Sequence, residues 1–265
     1  MNGAPVTAPL DPAAVQAQLT TAYYGRTLQV VDETGSTNDD ASRAAAQNAA
    51  RGFVLVANRQ TAGRGSRGRT WLSPANTDLY LSIVDRPNLP LQQLPPLTLA
   101  VGLGVAELVA ARLPHTKVEV KWPNDVWVDR QKCAGILVES STSGTGAGPV
   151  VIGIGLNVNR TSFPPDLDQP ATSLRLALGE PLDRNGLLAD LLNAVERQVL
   201  TLCNDGSGAI TAALQPRLAM RGHLVQCEGV RGELLGVAHT GALRIQTPSG
   251  ERLVTSGRLK EEPHG

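Results

Sequence analysis

Three rhythms of apolar and polar residues divide the chain. Apolar runs at 53–57, 78–84, 117–128, 136–139 and 150–158, bounded by Gly, Pro, Asn and Ser, predict strands. Helical periods lie between and after them. An alanine-rich stretch at 39–50 follows the turn Gly35-Ser36-Thr37-Asn38, with Ser36 or Asn38 available as its cap. Residues 97–113 are apolar almost throughout, 186–203 put Leu187, Leu188, Leu191, Leu192, Val195 and Val199 on one face, and a last helix is predicted over 208–218. From Arg221 the rhythm shortens to alternating strands at 223–227, 233–238, 242–247 and 252–255, separated by glycine-containing turns.

These elements predict an α/β (α+β) architecture. A tail at 1–20 precedes a mixed-sheet main domain over 21–219, and a small β-barrel over 220–265 packs on it. Residues 1–12 are rich in Pro and Ala and predict disorder, giving way at Asp11-Pro12 to a short helix through residue 19. Segment 140–148 (SSTSGTGAG) joins two apolar strands and predicts a flexible hairpin loop.

Charge and cysteine usage narrow the function classes. The 265 residues carry 24 basic and 24 acidic side chains, a balance that argues against a broad nucleic-acid footprint and against a polybasic membrane anchor. Cys133, Cys203 and Cys227 are odd in number, include no CxxC pair and accompany only four histidines, so neither a disulfide framework nor a thiolate-imidazole metal site is indicated. The N-terminus lacks the basic and apolar regions of a signal peptide, and 97–113, with Thr98, Glu107 and Arg112, suits a core helix better than a membrane span. A cytoplasmic chain fits these features. Lysine occurs only at 117, 121, 132 and 260, and the three tryptophans stand at 71, 122 and 127, which directs attention to two short stretches.

The first stretch, Gly63-Arg64-Gly65-Ser66-Arg67-Gly68-Arg69-Thr70-Trp71, satisfies the spacing GxGxxG, with Asp85 downstream as a ribose contact. A dinucleotide fingerprint needs its glycines to open a helix, whereas Trp71-Leu72-Ser73-Pro74-Ala75-Asn76 is a turn sequence; an NAD(P)-binding oxidoreductase is therefore disfavoured. Glycines that admit close backbone approach, interleaved with guanidinium forks, suit a cover over a phosphate-bearing ligand, although a solvated surface loop has the same composition.

The second stretch, Lys121-Trp122-Pro123-Asn124-Asp125, reads as a strand meeting a turn. Lys132 opens the apolar strand Cys133-Ala134-Gly135-Ile136-Leu137-Val138-Glu139, where a compact point charge is wanted in a chain that otherwise prefers arginine. Gly153 and Gly155, in Gly153-Ile154-Gly155-Leu156-Asn157, weaken a buried strand unless something approaches closely or the strand bulges. Ser36, Thr37 and Asn38 offer hydrogen-bonding side chains at a helix start, which capping alone also explains.

In this order along the chain, over about residues 28–175, these motifs closely resemble the biotin protein ligases, and the tail from 221 is compatible with that family's C-terminal SH3-like barrel. The resemblance implies a two-step reaction. Biotin and ATP, with Mg²⁺, form biotinyl-5′-AMP and pyrophosphate, and the acyl group then passes to a lysine of the biotin carboxyl carrier protein of acetyl-CoA carboxylase or a related carboxylase. It assigns Ser36, Thr37, Asn38 and Gln60 to biotin, together with Arg64, Gly65, Ser66, Lys132 and Gly135. It assigns Arg67, Arg69, Trp71, Lys121, Asn124 and Asn157 to ATP, makes Lys132 the catalytic lysine, and leaves Asp125 as the candidate acceptor of the incoming amine's proton. Attack of a carboxylate on the α-phosphate brings anions together, which is the physical need for these cations.

Bifunctional members carry an N-terminal helix-turn-helix; this chain begins almost at the catalytic domain, so no direct DNA binding is expected, and no membrane association. Oligomeric state is left open, a homodimer included, and so is any protein-made metal site. Two departures stand out. Ser66 replaces an arginine common in the family loop and predicts a leakier adenylate, and 161–173 holds only Phe163 where some members stack a tryptophan on adenine. The glycine-arginine loop is expected to be disordered before ligand arrives. A lipoate–protein ligase is the nearest alternative, but an apolar dithiolane would leave the Ser-Thr-Asn set and Gln60 unpaired. A non-catalytic biotin-binding regulator is made less attractive by Lys132.

Overall fold

The computed structural model describes residues 9–90, 94–143 and 146–262, with backbone only at 141–143 and 146–147. The disorder expected of residues 1–8 lies outside the described residues. Residues 9–20 belong to the body: α1 (Pro12–Gln16) is capped by Asp11, whose carboxylate accepts from Ala13 N at 2.9 Å, and Leu10, Val15 and Leu19 are buried in the main core.

A seven-stranded mixed sheet forms the centre, in the order β1-β2-β3-β7-β6-β5-β4. Its strands are β1 (Leu28–Thr34), β2 (Phe53–Gln60), β3 (Leu79–Asp85), β4 (Val118–Lys121), β5 (Asp125–Val128), β6 (Gln131–Ser143) and β7 (Gly146–Leu156). Only β1 and β2 pair in parallel, with α2 (Thr37–Ala46) as their crossover; every other neighbour is antiparallel. The sequence pattern does not predict β1. As an edge strand it is only half-buried, so its apolar signal is weak.

The sheet is covered on both faces, and β2 shows why its run is continuously apolar. Val54 and Val56 join the large core on one side, while Phe53 and Leu55 pack with Ala41 and Ala45 of α2 on the other. Against the large-core face lie α3 (Leu94–Arg112), α5 (Arg184–Asp205) and α6 (Ser207–Leu214). Helix α3 is long and apolar enough to cross a membrane by length and composition, yet it is mostly buried within the fold. Each fully buried Leu or Val contributes about 1.5–3 kcal/mol, so its apolarity is accounted for by the core. A short α4 (Leu174–Leu178), absent from the sequence reading, follows β7.

Three local expectations change. Helix α2 starts at Thr37 and ends at Ala46, so Asn38 lies inside its first turn, and Ser36, at the cap position, makes no side-chain cap bond. The 140–148 segment is largely ladder, with β6 and β7 paired out to Ser143 opposite Gly146; residues 144 and 145 lie outside the described residues. The C-terminal strands, β8 (Leu224–Cys227), β9 (Val230–Val237), β10 (Leu243–Thr247), β11 (Gly250–Val254) and β12 (Lys260–Glu261), form an antiparallel sheet in the order β11-β10-β9-β8-β12. Among the described residues β11 and β12 are its edges, so the ladder is an open sheet where a closed barrel is expected. Trp122 Nε1 donates to Gly241 O at 2.8 Å, and Arg130 pairs with Glu261, joining the two sheets.

Candidate active site

The site grows from two rows of residues across one face of the main sheet. Ser82, Gly153 and Leu137 stand opposite one another on β3, β7 and β6; two residues along, so do Tyr80, Gly155, Gly135 and, on β5, Asp125. Positions two apart share a face, so the glycines leave a trough. A Cβ at Gly153 would lie 2.1 Å from Asn38 Oδ1, and one at Gly155 would lie 2.3 Å from the Trp71 ring. Close approach, with no bulge in β7 here, is therefore the reason for both glycines. Above the trough opens a cavity of about 630 Å³, the size of a small-molecule site.

At the first row the side chains form a linked hydrogen-bond cluster that borders the cavity. Ser82 Oγ donates to Asn38 Oδ1 at 2.6 Å, and Asn38 Nδ2 donates to Glu139 Oε2 at 2.8 Å. Gln60 Oε1 accepts from Thr37 N and Oγ1 at 2.8 and 3.1 Å, while its Nε2 donates to Ser73 Oγ at 2.9 Å. Ser36 is buried and lines the cavity. The extended entry to α2 thus turns its first side chains onto the sheet face. Arg64 donates two bonds to Glu139, at 2.9 and 2.7 Å, and contacts Asp39 at 2.8 Å; the Glu139 bonds raise its pKa above the usual range.

At the second row charge dominates. Lys132 Nζ stands 2.7 Å from Asp125 Oδ1 and 5.2 Å from the Trp71 ring centre, both partners of the ion pair being largely buried. Gln169 Nε2 donates to Asp125 Oδ2 at 3.1 Å. The glycine-arginine loop, expected to be loose, folds as a tight hairpin through Gly65 N to Arg69 O (2.7 Å) and Trp71 N to Gly63 O (2.8 Å). Ser66 Oγ pins it, accepting from Arg69 Nη2 at 2.9 Å and Asn124 Nδ2 at 3.2 Å. No helix follows Gly68, in line with setting the dinucleotide reading aside. Asn157 Nδ2 donates to Thr172 O at 2.9 Å and so ties down the segment after β7.

Of the predicted residues, Ser36, Thr37, Asn38, Gln60, Arg64, Gly65, Ser66, Arg69, Trp71, Asn124, Lys132, Gly135 and Asn157 line the cavity. Arg67, Lys121 and Asp125 do not. Arg67 is exposed, at a φ of 60°, and Asp125 is reached only through Lys132 and Gln169. Lys121 lines a neighbouring cleft with Arg258 and Lys260, its ammonium 5.0 Å from the Trp127 ring. Burial holds the Lys121 pKa below its ordinary value, Arg258, Lys132 and Arg69 lowering it further against the opposing pull of Asp125. Sequence reasoning missed Ser82, Glu139 and Arg160. A lone serine inside LYLSIVD was a signal for the first, and a buried arginine in an arginine-rich chain left none for the last. Among the described residues no group of three or more His, Cys, Asp or Glu is arranged to hold a metal.

Residues 29–157 match the Biotin/lipoate A/B protein ligase family. The bifunctional ligase/repressor BirA of Bacillus spizizenii is 32% identical over 95% of this chain and 79% of its own length. The biotin--[acetyl-CoA-carboxylase] ligase of Mycobacterium tuberculosis is 38% identical over 87% of this chain and 86% of its own. Among solved structures, the biotin protein ligase from Aquifex aeolicus in complex with biotin and ATP has a TM-score of 0.77 and 28% identity, covering 89% of this chain and all of that one. Fold, site and relatives agree: the chain belongs to the biotin/lipoate A/B protein ligase family. Within that family it falls with the biotin protein ligases.

Proposed function

We infer that this protein is an ATP-dependent biotin ligase acting in two steps. Biotin carboxylate attacks the α-phosphate of ATP, giving biotinyl-5′-AMP and pyrophosphate. A lysine amine of a biotin carboxyl carrier protein, from acetyl-CoA carboxylase or a related carboxylase, then attacks the acyl carbon, and AMP leaves. The observation that carries this reading is one cavity with a hydrogen-bond cluster of uncharged side chains at Thr37, Asn38 and Gln60, backed by the Glu139 carboxylate, and the ammonium of Lys132 on its wall. A ureido ring, with one carbonyl acceptor and two N–H donors, answers the cluster; an apolar dithiolane does not.

In this reading Lys132 bridges the biotin carboxylate and the α-phosphate, offsetting charge that grows at phosphorus. Arg64, Gly65 and Ser66 cover the valerate, with Gly135 leaving room beneath it. Arg69, Trp71, Asn124 and Asn157 serve the nucleotide from the cavity wall, and Arg67 and Lys121 assist the phosphates from outside it. Magnesium would enter as part of the MgATP substrate and would supply charge to offset the phosphates. Asp125 sits behind the cavity wall, so its part in taking the proton of the incoming amine is played through Lys132, its ion-pair partner. The protein works in the cytoplasm, in keeping with three unpaired cysteines.

The test incubates the protein with ATP, either biotin or lipoate, and a carrier domain, then measures pyrophosphate and the carrier's mass. Release and a biotin-sized mass gain with biotin alone are expected. A gain with lipoate instead would move the protein to the other branch of its family.

A further inference from the structure

The cavity has two walls that come from distant parts of the chain. One is the loop ending in Trp71 and Leu72; the other is the segment after Asn157, which carries Phe163. A single guanidinium joins them. Arg160 Nη2 donates to Leu72 O at 2.8 Å, while its Cζ sits 4.9 Å from the Phe163 ring centre. Its other attachment is fixed: Nε and Nη2 both donate to Asp78 Oδ2, at 3.0 and 2.6 Å, on a carboxylate with no exposed surface. Asp78 Oδ1 meanwhile accepts from Val158 N at 2.8 Å, so the same acid anchors the backbone beside Asn157. Finally Ser173 Oγ donates to Arg160 O at 2.6 Å, closing the far end of the segment.

We propose that Arg160 is a positioning residue for the nucleotide half of the site, holding the Trp71–Leu72 wall and the Phe163 wall at a fixed separation. This rests on the reading of the cavity as a biotin and ATP site. Three features of the guanidinium are used at once: the charge on Asp78, an N–H aimed at Leu72 O, and a planar face against Phe163. Lysine supplies the charge but neither the fork nor the face. The hydrogen-bond cluster at Thr37, Asn38 and Gln60 is one step removed from Arg160, joined to the wall it holds through Gln60 Nε2 and Ser73 Oγ, so the biotin end is predicted to feel its loss less than the nucleotide end.

Truncating Arg160 alone would leave the buried Asp78 carboxylate to Tyr80 OH, Val158 N and the charge of Arg184, and would destabilise the fold whatever else it did. The experiment therefore compares Arg160→Lys, Arg160→Gln and the double variant Arg160→Gln/Asp78→Asn, which removes both charges and keeps an acceptor for Val158 N. Melting temperature, KM for ATP, KM for biotin and kcat for pyrophosphate release are measured beside wild type. The double variant is expected to regain part of the melting temperature lost by Arg160→Gln, since the buried Arg184 gives up the Asp78 charge, while its KM for ATP stays about tenfold raised and its KM for biotin stays within about twofold. Arg160→Lys is expected to do the same with the ion pair retained. Recovery of the ATP KM together with stability, in either variant, would reduce Arg160 to a structural role and overturn the proposal. If wild type itself releases no pyrophosphate, the ligase reading and this one fall together; if wild type turns over and only the Arg160 effects are missing, this one alone falls.

Discussion

The charges around Arg64 and those around Lys132 belong to the same cavity but are built differently. Arg64, Glu139 and Asp39 lie at the rim, their side chains 34–51% exposed, one guanidinium between two carboxylates over the Asn38 cluster. Lys132 and Asp125 are 14% and 7% exposed and sit beside Lys121, whose ammonium is held below its ordinary pKa by burial. Rim pairs in water contribute little and act as fasteners, whereas charges removed from water interact strongly with a ligand and cost stability in its absence. The biotin end is thus organised by hydrogen bonds among uncharged side chains, one of them extended to the Glu139 carboxylate, and the phosphate end by concentrated positive charge.

The sharpest way to break that contrast is Lys132→Ala. Pyrophosphate release is expected to fall about 10²–10³-fold, the scale of losing one preorganised charge at a transition state, and full-rate turnover would remove the mechanism. Next comes Gly153→Ala. The added Cβ would collide with Asn38 Oδ1, displacing an atom that holds the cluster together, and the KM for biotin should rise about 10–100-fold with the KM for ATP little changed. Equal effects on both substrates would show that the two ends are not separable.

Lys121→Met probes the cost of buried charge. It is expected to raise the melting temperature at pH 7 by about 2–4 °C while weakening ATP use. Because burial lowers the folded-state pKa of Lys121 below its ordinary 10.5, the unfolded chain binds more protons between those two values. Wild-type stability therefore gains across that window as pH rises, and the advantage of the variant should shrink toward pH 10.5. A pH-independent gap would assign the effect to packing alone. The smallest effect is expected from Ser66→Arg, a several-fold drop in adenylate lost to bystander proteins, since the cation it adds to a loop that already has three replaces the Ser66 Oγ bonds to Arg69 and Asn124. Unchanged bystander labelling would show that Ser66 does not set retention.

Much of this site is legible along the chain because its parts are local motifs. Ser36-Thr37-Asn38, the glycine-arginine loop and Lys132 carry their chemistry in consecutive residues, and most of them meet in one cavity. The missed parts depend on partners far away in sequence. Ser82 is one hydroxyl in an apolar strand until β7 brings Gly153 opposite and α2 brings Asn38 above it. Lys121 is adjacent in motif to Asn124, yet the turn between β4 and β5 directs it to the neighbouring cleft.

The order of apolar periods and turn residues by itself determines a mixed α/β body followed by short alternating strands, because burial on a sheet or helix face imposes a period that the residues must obey. It also determines which residue types are available to bind an acid and a phosphate. What only the tertiary structure decided is register: which strands lie side by side, that Gly153 and Gly155 form a trough rather than a bulge, and that Arg160, buried on Asp78, spans two walls more than 80 residues apart in the chain. Such contacts depend on the pairing of distant segments, and nothing within a local window of sequence specifies their distance.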